Sequence, residues 1–398
     1  MDKTKRILIC GAGIAGPACA WWLCKYGFSV VVAEKARAFR DGGQNVDVKG
    51  AGQQVIERMG LTAQIEARNT LECGQKWLDE AGKVIAVIPK GGFGGLTSDF
   101  EILRGDFARV LFDATRSTCE YRFGTSVQGI EEIEEGVRAT FFDGSTEVFA
   151  LVICADGMSS STRELVLAQE TRLRYLGAYM AFFKIPRRPE DDLWACSVNG
   201  IGGTMINLRP GGTTETTVLV TFLPSVPGHI KPSPEARRHM LRAALEGRGT
   251  VANRIVDALD TVEDFYFGPM SQVQASTWSK GRLVLLGDAA YCPTPFTGRG
   301  TALALVGAYI LAGEIKQRLT HTEAFQSYEG ILRPYAERSQ QQLSPRLIRL
   351  MHVTTRFGIT VARIVQRFFG NARIQALLKP SAAAQARKIE EDFSLPVY

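Results

Sequence analysis

The chain has 398 residues, of which 45% are hydrophobic and 22% are charged. This composition is that of a globular protein and excludes a disordered chain, while the length favours two lobes with a cleft between them. The formal net charge is +6, but Lys and Arg are scattered along the chain, so no nucleic-acid partner is expected.

Cysteine and histidine usage bears on metals and on the cellular compartment. The eight cysteines show neither a CxxC pair nor zinc-like spacing, and the four histidines are dispersed, so no metal site is predicted. The N-terminal residues lead directly into an apolar strand that is too short for a signal peptide or a membrane span. We therefore expect a cytoplasmic monomer without an integral membrane segment.

A βαβ unit is the first predicted feature of the chain. Residues 6–10 predict a buried strand, residues 15–26 a helix and residues 29–34 a second strand. The turn between the first strand and the helix is a GxGxxG motif over residues 11–16. In this context the glycines permit a tight turn, and the helix N-terminus offers free N–H groups to a pyrophosphate.

The second strand ends in a carboxylate, Glu34. A carboxylate at this position hydrogen-bonds the ribose hydroxyls of adenosine, which favours FAD or NAD over a cofactor with a 2′-phosphate. The residues of the βαβ unit that we predict to bind the cofactor are Gly11, Gly13, Ala15, Gly16, Glu34 and Lys35.

Two later apolar runs, residues 151–155 and 283–286, predict further strands of the same sheet. They are far apart in the sequence. The predicted fold class is therefore α/β, with a Rossmann-like nucleotide-binding domain that is discontinuous and consists of residues 1–172 and 275–342.

The rest of the chain is divided between a second lobe and a C-terminal region. Residues 173–274 alternate in polarity and contain Pro and Gly punctuation, which predicts a substrate-binding domain with an antiparallel sheet. Some strands within residues 70–100 are expected to join that lobe. Residues 343–398 form a C-terminal helix region, in which apolar residues at helical spacing over 343–369 predict one long amphipathic helix.

The predicted C-terminal helix has a basic side, because Arg349, Arg356 and Arg363 recur every seven residues, with Arg346 and Arg367 nearby. We expect its apolar side to dock on the two lobes and its basic side to face solvent. The alternative is peripheral contact of the basic side with an anionic membrane surface. The residues of the apolar side are Leu347, Leu350, Met351, Thr354, Phe357, Val361, Ile364, Val365 and Phe368.

Four further segments carry polar residues and glycines in patterns suited to cofactor binding. GDAA at residues 287–290 and the Pro- and Gly-rich stretch after it place a carboxylate at a strand end and glycines at a helix start. The others are DGMSSSTR at 156–163, EILRGD at 101–106 and GGQNVD at 42–47. Their candidate cofactor-binding residues are Gln44, Asp47, Arg104, Asp156, Gly157, Arg163, Gly287, Asp288, Pro295, Gly298, Gly300 and Thr301.

Together these motifs resemble the group A flavoprotein monooxygenases, the family of para-hydroxybenzoate hydroxylase, over most of residues 6–335. GGQNVD and the sequence GDAAYCP at residues 287–293 look most like the tetracycline-inactivating flavin monooxygenases. The resemblance implies that FAD is the cofactor, with Asp288 at its ribityl chain and Arg104 reaching it. Asp156 and Arg163 would lie on its pyrophosphate side.

The chain also departs from the pattern of this family. Tyr291, Arg299 and Ala302 stand where many members have His, Gln and Asn. The Asn side chain commonly helps to hold the flavin region, so Ala302 puts its fine geometry in doubt, while backbone donors from residues 298–301 would remain.

The resemblance implies an FAD-dependent monooxygenase. NADPH or NADH would bind transiently and reduce FAD, and the reduced flavin would react with O₂ to form a C4a-hydroperoxide. This species would hydroxylate an electron-rich aromatic, enol or polycyclic polyketide-like substrate. A bulky polyketide-like or tetracycline-like polycycle is the leading expectation, with a smaller phenol as the alternative; inactivation of tetracycline-type antibiotics would make the chain an antibiotic-resistance protein. Because the flavin carries the chemistry, no side chain is singled out as catalytic.

Other functions remain open at this stage. The same fold serves FAD-dependent reductases and dehydrogenases, hydroxylases of small phenols or quinone precursors, and non-catalytic flavin carriers. The candidate residues for contact with a small-molecule substrate are Phe182, Met205, Asn207 and Phe222 in the second lobe and Phe296 beside the flavin loop. The alternative for each of them is ordinary packing in the sheet core.

Overall fold

The computed structural model describes residues 6–39, 43–90, 101–225, 228, 232–263, 265–377 and 393–398. Gly42 of the GGQNVD segment lies outside the described residues, as do residues 91–100 of the predicted second lobe and 378–392 of the C-terminal region.

The described strands are β1 Arg6–Cys10, β2 Ser29–Glu34, β3 Asn45–Asp47, β4 Gly74–Leu78, β5 Val84–Pro89, β6 Glu101–Leu103, β7 Glu120–Phe123, β8 Val127–Ile133, β9 Gly136–Phe141, β10 Thr146–Phe149, β11 Leu151–Cys154, β12 Thr171–Pro186, β13 Trp194–Gly200, β14 Thr204–Pro210, β15 Glu215–Phe222, β16 Tyr266–Ala275, β17 Ser279–Lys280 and β18 Leu283–Leu285. The described helices are α1 Ala15–Lys25, α2 Ala51–Met59, α3 Thr62–Glu66, α4 Arg104–Asp113, α5 Ser161–Leu167, α6 Pro234–Leu245, α7 Thr250–Ala258, α8 Asp288–Tyr291, α9 Gly300–Gln317, α10 His321–Gln341, α11 Pro345–Met351 and α12 Arg356–Phe369, with a 3₁₀ helix at Pro295–Thr297.

A six-stranded sheet in the order β17-β18-β11-β1-β2-β7 forms the centre of the nucleotide-binding domain. β1 pairs in parallel with β2 and β11, and β11 pairs in parallel with β18. These strands are continuous apolar runs because both faces of the sheet are covered. The predicted α/β fold class with a discontinuous Rossmann-like domain is confirmed.

A seven-stranded sheet in the order β16-β12-β15-β14-β13-β4-β5 forms the second lobe. Its neighbouring strands are antiparallel except for β4 and β13, which are parallel. On one face, Tyr179, Phe183 and Val220 pack with apolar residues of α6 and α7 into a separate core. Because side chains alternate along a strand, the other face points away from this core; part of it packs against Ile348 of α11.

The C-terminal helical region differs from the prediction in two respects. Instead of one long helix over 343–369, the structure has α11 and α12, since the chain leaves the helical path over residues 352–355. The expectation that the apolar side docks on the lobes is wrong for α12: Phe357 is 80% exposed and Ile364 is 61% exposed. None of the helices in the described ranges combines the length and apolar character needed to cross a membrane.

Candidate active site

A cavity of about 630 Å³ lies between the six-stranded and seven-stranded sheets. One end is lined by the residues that follow β1, β2 and β11, and the other end by residues of β12, β14 and β15. Ligands of open α/β sheets bind outside the carboxyl ends of the parallel strands. The cavity is therefore the candidate site for both a cofactor and a substrate.

Two glycines of the GxGxxG turn, Gly11 and Gly16, have no room for a side chain. Gly11 has φ 107, and a Cβ atom there would lie 2.5 Å from the carbonyl oxygen of Ala155. A Cβ atom at Gly16 would lie 2.0 Å from the carbonyl oxygen of Gly11. The N-cap residue of α1, Ile14, makes no side-chain hydrogen bond to the first turn. The turn and the N-terminus of α1 thus form a cradle that fits a pyrophosphate.

Glu34 lies at the carboxyl end of β2 and lines the cavity beside the exposed Lys35. Its two carboxylate oxygens accept hydrogen bonds from the backbone N–H groups of Ala12 and Ala36, each at 2.9 Å. These bonds fix the carboxylate against the GxGxxG turn. Since a carboxylate has about four acceptor positions, capacity for ribose hydroxyls remains.

Arg104 and Asp288 are two oppositely charged residues that line the cavity. Arg104 begins α4, and its backbone N–H donates to the carbonyl of Gln44 at 2.9 Å. Its guanidinium reaches the turn, because a Cβ atom at Gly13 would lie 3.3 Å from Nη2. Asp288 begins α8. Desolvation by the surrounding protein raises the pKa of its carboxyl, and the Arg104 guanidinium opposes this shift.

The segment after Asp288 also lines the cavity, with Gly298, Gly300 and Thr301 at the start of α9. Pro295 begins the short 3₁₀ helix. Thr294 has φ 86, which is rare for a β-branched residue, and its buried hydroxyl has no hydrogen-bond partner among the described residues. An unpaired hydroxyl and a glycine-rich helix start at this position fit a polar ligand.

The DGMSSSTR segment is divided between the cavity wall and the interior. Asp156 and Gly157 line the cavity, and Asp156 accepts hydrogen bonds from the Ser160 hydroxyl and from the backbone N–H of Thr162. Arg163 lies behind the wall, where it is 1% exposed and donates to the carbonyl of Ala289 at 3.0 Å. It therefore connects this loop to α8, the helix that begins at Asp288.

The candidate substrate residues of the second lobe divide according to the sheet face they occupy. Phe182 on β12 and Asn207 on β14 line the cavity. Phe222 on β15 points to the opposite face and packs in the core against α6 and α7. Met205 shares the face of Asn207 but is buried away from the cavity lining, and Phe296 packs against the apolar cluster around Met270 and Ile348.

Arg209 is a cavity residue that the sequence analysis missed. Its Nε and Nη2 atoms lie 2.9 and 3.1 Å from the two carboxylate oxygens of Glu72, and Nη2 lies 2.8 Å from Oε1 of Glu101. Both carboxylates are buried. The remaining nitrogen, Nη1, has no hydrogen-bond partner among the described residues, so it is free to serve a ligand in the cavity. The sequence did carry a signal for it, because side chains alternate along a strand. Residue 209 lies two positions after Asn207 on β14 and therefore faces the same side of the sheet.

The environment of Glu72 makes its protonation sensitive to pH near neutrality. Burial raises the pKa of its carboxyl to about 7; the Arg209 guanidinium opposes this shift and Glu101 adds to it. Asn45 fixes the second carboxylate, because its amide donates to Glu101 Oε1 at 2.9 Å and its carbonyl oxygen accepts from the Thr217 hydroxyl at 2.9 Å. Arg209 is thus held in one orientation by buried partners.

The cradle after β1, the carboxylate after β2 and the Gly-Asp segment after β18 define a dinucleotide-binding flavoprotein of the FAD class. Comparison with known families agrees: residues 4–342 match the FAD binding domain family, and the chain belongs to it. The chain is 37% identical over 350 residues to a flavin-dependent monooxygenase from an unidentified prokaryote, covering 86% of this chain and 88% of the relative. It is an FAD-dependent monooxygenase.

Two solved structures resemble the whole chain. The tetracycline destructase Tet(51) is 30% identical with a TM-score of 0.81, and each chain is covered over 100% of its length. The tetracycline destructase Tet(55) is 29% identical with a TM-score of 0.82 and the same full coverage of both chains. The predicted resemblance to flavin monooxygenases of this type is confirmed.

Proposed function

We propose that the chain holds FAD along the first end of the cavity. Its pyrophosphate would rest on the GxGxxG cradle, its adenosine ribose at Glu34, and its ribityl and flavin part near Arg104, Asp288 and the start of α9. The support is steric and chemical: Gly11 and Gly16 allow the turn to pack closely on itself and on the loop after β11, and donors and carboxylates line the same wall.

We further propose that NADPH or NADH is the reductant and that the substrate is an electron-rich polycycle of the tetracycline type. When bound and reduced, FAD supplies the activation of O₂ for insertion of one oxygen atom into an electron-rich carbon. The protein contributes binding, orientation and exclusion of water. The similarity over the full chain to two tetracycline destructases supports this substrate class.

The observation that carries the proposal is the continuity of the cavity from the cofactor motifs to Arg209. The hydroxyl group of an enol or phenol is acidic. A fixed guanidinium with a free Nη1 is a suitable hydrogen-bond donor to its oxygen. Phe182 lines the same wall and offers an aromatic face to a planar ring system. Arg209 would therefore orient the substrate, and Phe182 would contact its rings.

The test is consumption of NADPH and NADH by the FAD-loaded protein with a panel of tetracyclines, anthraquinones and simple phenols, with product masses read in parallel. We expect substrate-stimulated consumption coupled to a mass gain of one oxygen atom with tetracyclines. Hydroxylation confined to small phenols would refute the proposed substrate class. Flavin reduction without an oxygenated product from any compound would refute the claim that the protein oxygenates these substrates.

A further inference from the structure

Helix α12 is fixed to the second lobe by one side. Ile359 is 4% exposed, and Arg363 forms an ion pair with Glu80 at 3.7 Å. At the C-terminal end of the helix, Gly370 packs so closely on β5 that a Cβ atom would lie 2.5 Å from Cβ of Ala86. The preceding linker is also bonded, since the carbonyl of Val353 accepts from the backbone N–H of Gly203 at 2.9 Å. The helix is therefore part of the folded lobe.

The opposite side of α12 is apolar and faces outward. Phe357, Ile364 and Phe368 are 80%, 61% and 56% exposed, and Val361 and Val365 lie among them. Their spacing places all five on one helix face of about 17 Å in length, turned away from the side that holds Ile359. Contiguous exposed apolar surface of this kind marks an interaction site.

The charged side chains of this segment of the chain have a single sign. Residues 343–377 contain six arginines and no Asp or Glu. Arg356 and Arg367 are exposed; Arg367 lies one turn after Ile364 of the apolar face, and Arg356 directly precedes Phe357. Of the six, only Arg363 has an ion-pair partner among the described residues. The surface thus offers apolar side chains and uncompensated positive charge together.

We propose that α12 docks the protein on the surface of an anionic lipid bilayer, with its apolar face in the boundary between headgroups and acyl chains and its arginines at the lipid phosphates. Strong separation of an apolar face from a basic flank is what binds helices in the plane of such an interface. A second copy of this chain would fit less well, because two such faces would bring arginines of like charge together. This inference goes beyond the proposed reaction and does not depend on it.

The test is sedimentation of the full FAD-loaded chain with vesicles of phosphatidylcholine alone or mixed with phosphatidylglycerol, at low and high salt. We expect pelleting with the anionic vesicles that weakens in high salt. Phe368→Ser should reduce partitioning about ten-fold or more, and Arg367→Gln about five-fold. The matched controls Phe142→Ser and Arg116→Gln, at exposed sites away from α12, should leave it unchanged.

Several results would overturn the proposal. One is that the wild-type protein stays in solution with anionic vesicles. Another is that the control variants lose vesicle binding as much as the α12 variants do. A third is a dimer in light scattering that Phe368→Ser dissociates while vesicles are not bound, which would show that a second copy covers the face. Circular dichroism and bound-FAD absorbance verify that each variant is folded. NAD(P)H oxidation in the same samples without vesicles reports on the enzyme reaction separately.

Discussion

Replacement of Arg209 by Met tests the charge arrangement at the substrate end of the cavity. The change keeps most of the side-chain volume but removes the cation that bonds both Glu72 oxygens and Glu101 Oε1. Two buried carboxylates would then have no counter-charge. Loss of one partner of a buried charged group costs about 3–5 kcal/mol, so we expect Arg209→Met to lower the free energy of unfolding by that amount above neutral pH.

The raised pKa of Glu72 determines how the destabilisation by Arg209→Met changes with pH. The folded-state pKa of Glu72, about 7, is above that of an ordinary Glu, so the folded protein binds this proton more tightly than the unfolded chain does. The stability from this group is fully present below the ordinary Glu pKa of about 4 and is lost as pH rises through about 7. Arg209 limits the loss. The cost of Arg209→Met should therefore be smaller near about pH 5, where Glu72 is protonated in the folded protein, than near about pH 8.

The assay is urea unfolding of wild type, Arg209→Met, Glu72→Gln and the double variant at both pH values, followed by circular dichroism. Glu72→Gln removes one of the two unpaired charges, so the double variant should be more stable than Arg209→Met above neutral pH. A destabilisation by Arg209→Met that is equal at both pH values, or no recovery in the double variant, would refute the reasoning. The KM for the substrate should rise in Arg209→Met while FAD remains bound.

Three other variants test the rest of the cavity. Gly11→Ala should abolish FAD retention, read from absorbance after gel filtration, while the control Gly60→Ala, where φ is 72 and no atom lies within 4 Å of the added Cβ, should cost about 1 kcal/mol and keep FAD. Asp288→Asn should weaken FAD binding about ten-fold or more in a fluorescence titration; unchanged affinity would remove Asp288 from the cofactor site. Phe222→Ala should lower the free energy of unfolding by about 3–5 kcal/mol with KM unchanged, whereas Phe182→Ala should raise KM with little loss of stability; the reverse pattern would contradict the assignment of the two sheet faces.

The lining of the first end of the cavity, where we propose that FAD binds, was predictable because its residues are set by local backbone geometry. The GxGxxG turn, the carboxylate that ends β2 and the Gly-Asp segment each depend on a strand end followed by a helix start, and such junctions are readable in the sequence. Arg163 shows the limit of this approach. The sequence pattern predicted that it lies near the cofactor. Only the fold shows that its guanidinium donates hydrogen bonds to the carbonyls of Ala289 and Met158.

The substrate end was less predictable because it depends on which face of a sheet is covered by helices. Phe182 and Phe222 have equal apolar character in the sequence, and the packing of α6 and α7 decides that one lines the cavity and the other lies in the core. Arg209 was missed because its partners Glu72 and Glu101 are distant in sequence. The exposed face of α12 could not be foreseen either, since an amphipathic pattern ordinarily indicates docking on a core.

The most direct test of the central claim is incubation of the FAD-loaded protein with NAD(P)H, a tetracycline and isotopically heavy O₂, followed by mass spectrometry of the product. An FAD-dependent monooxygenase with this site is expected to give a product that carries one heavy oxygen atom per molecule of NAD(P)H consumed. A product that carries oxygen from water, or a reduced product without added oxygen, would contradict the account.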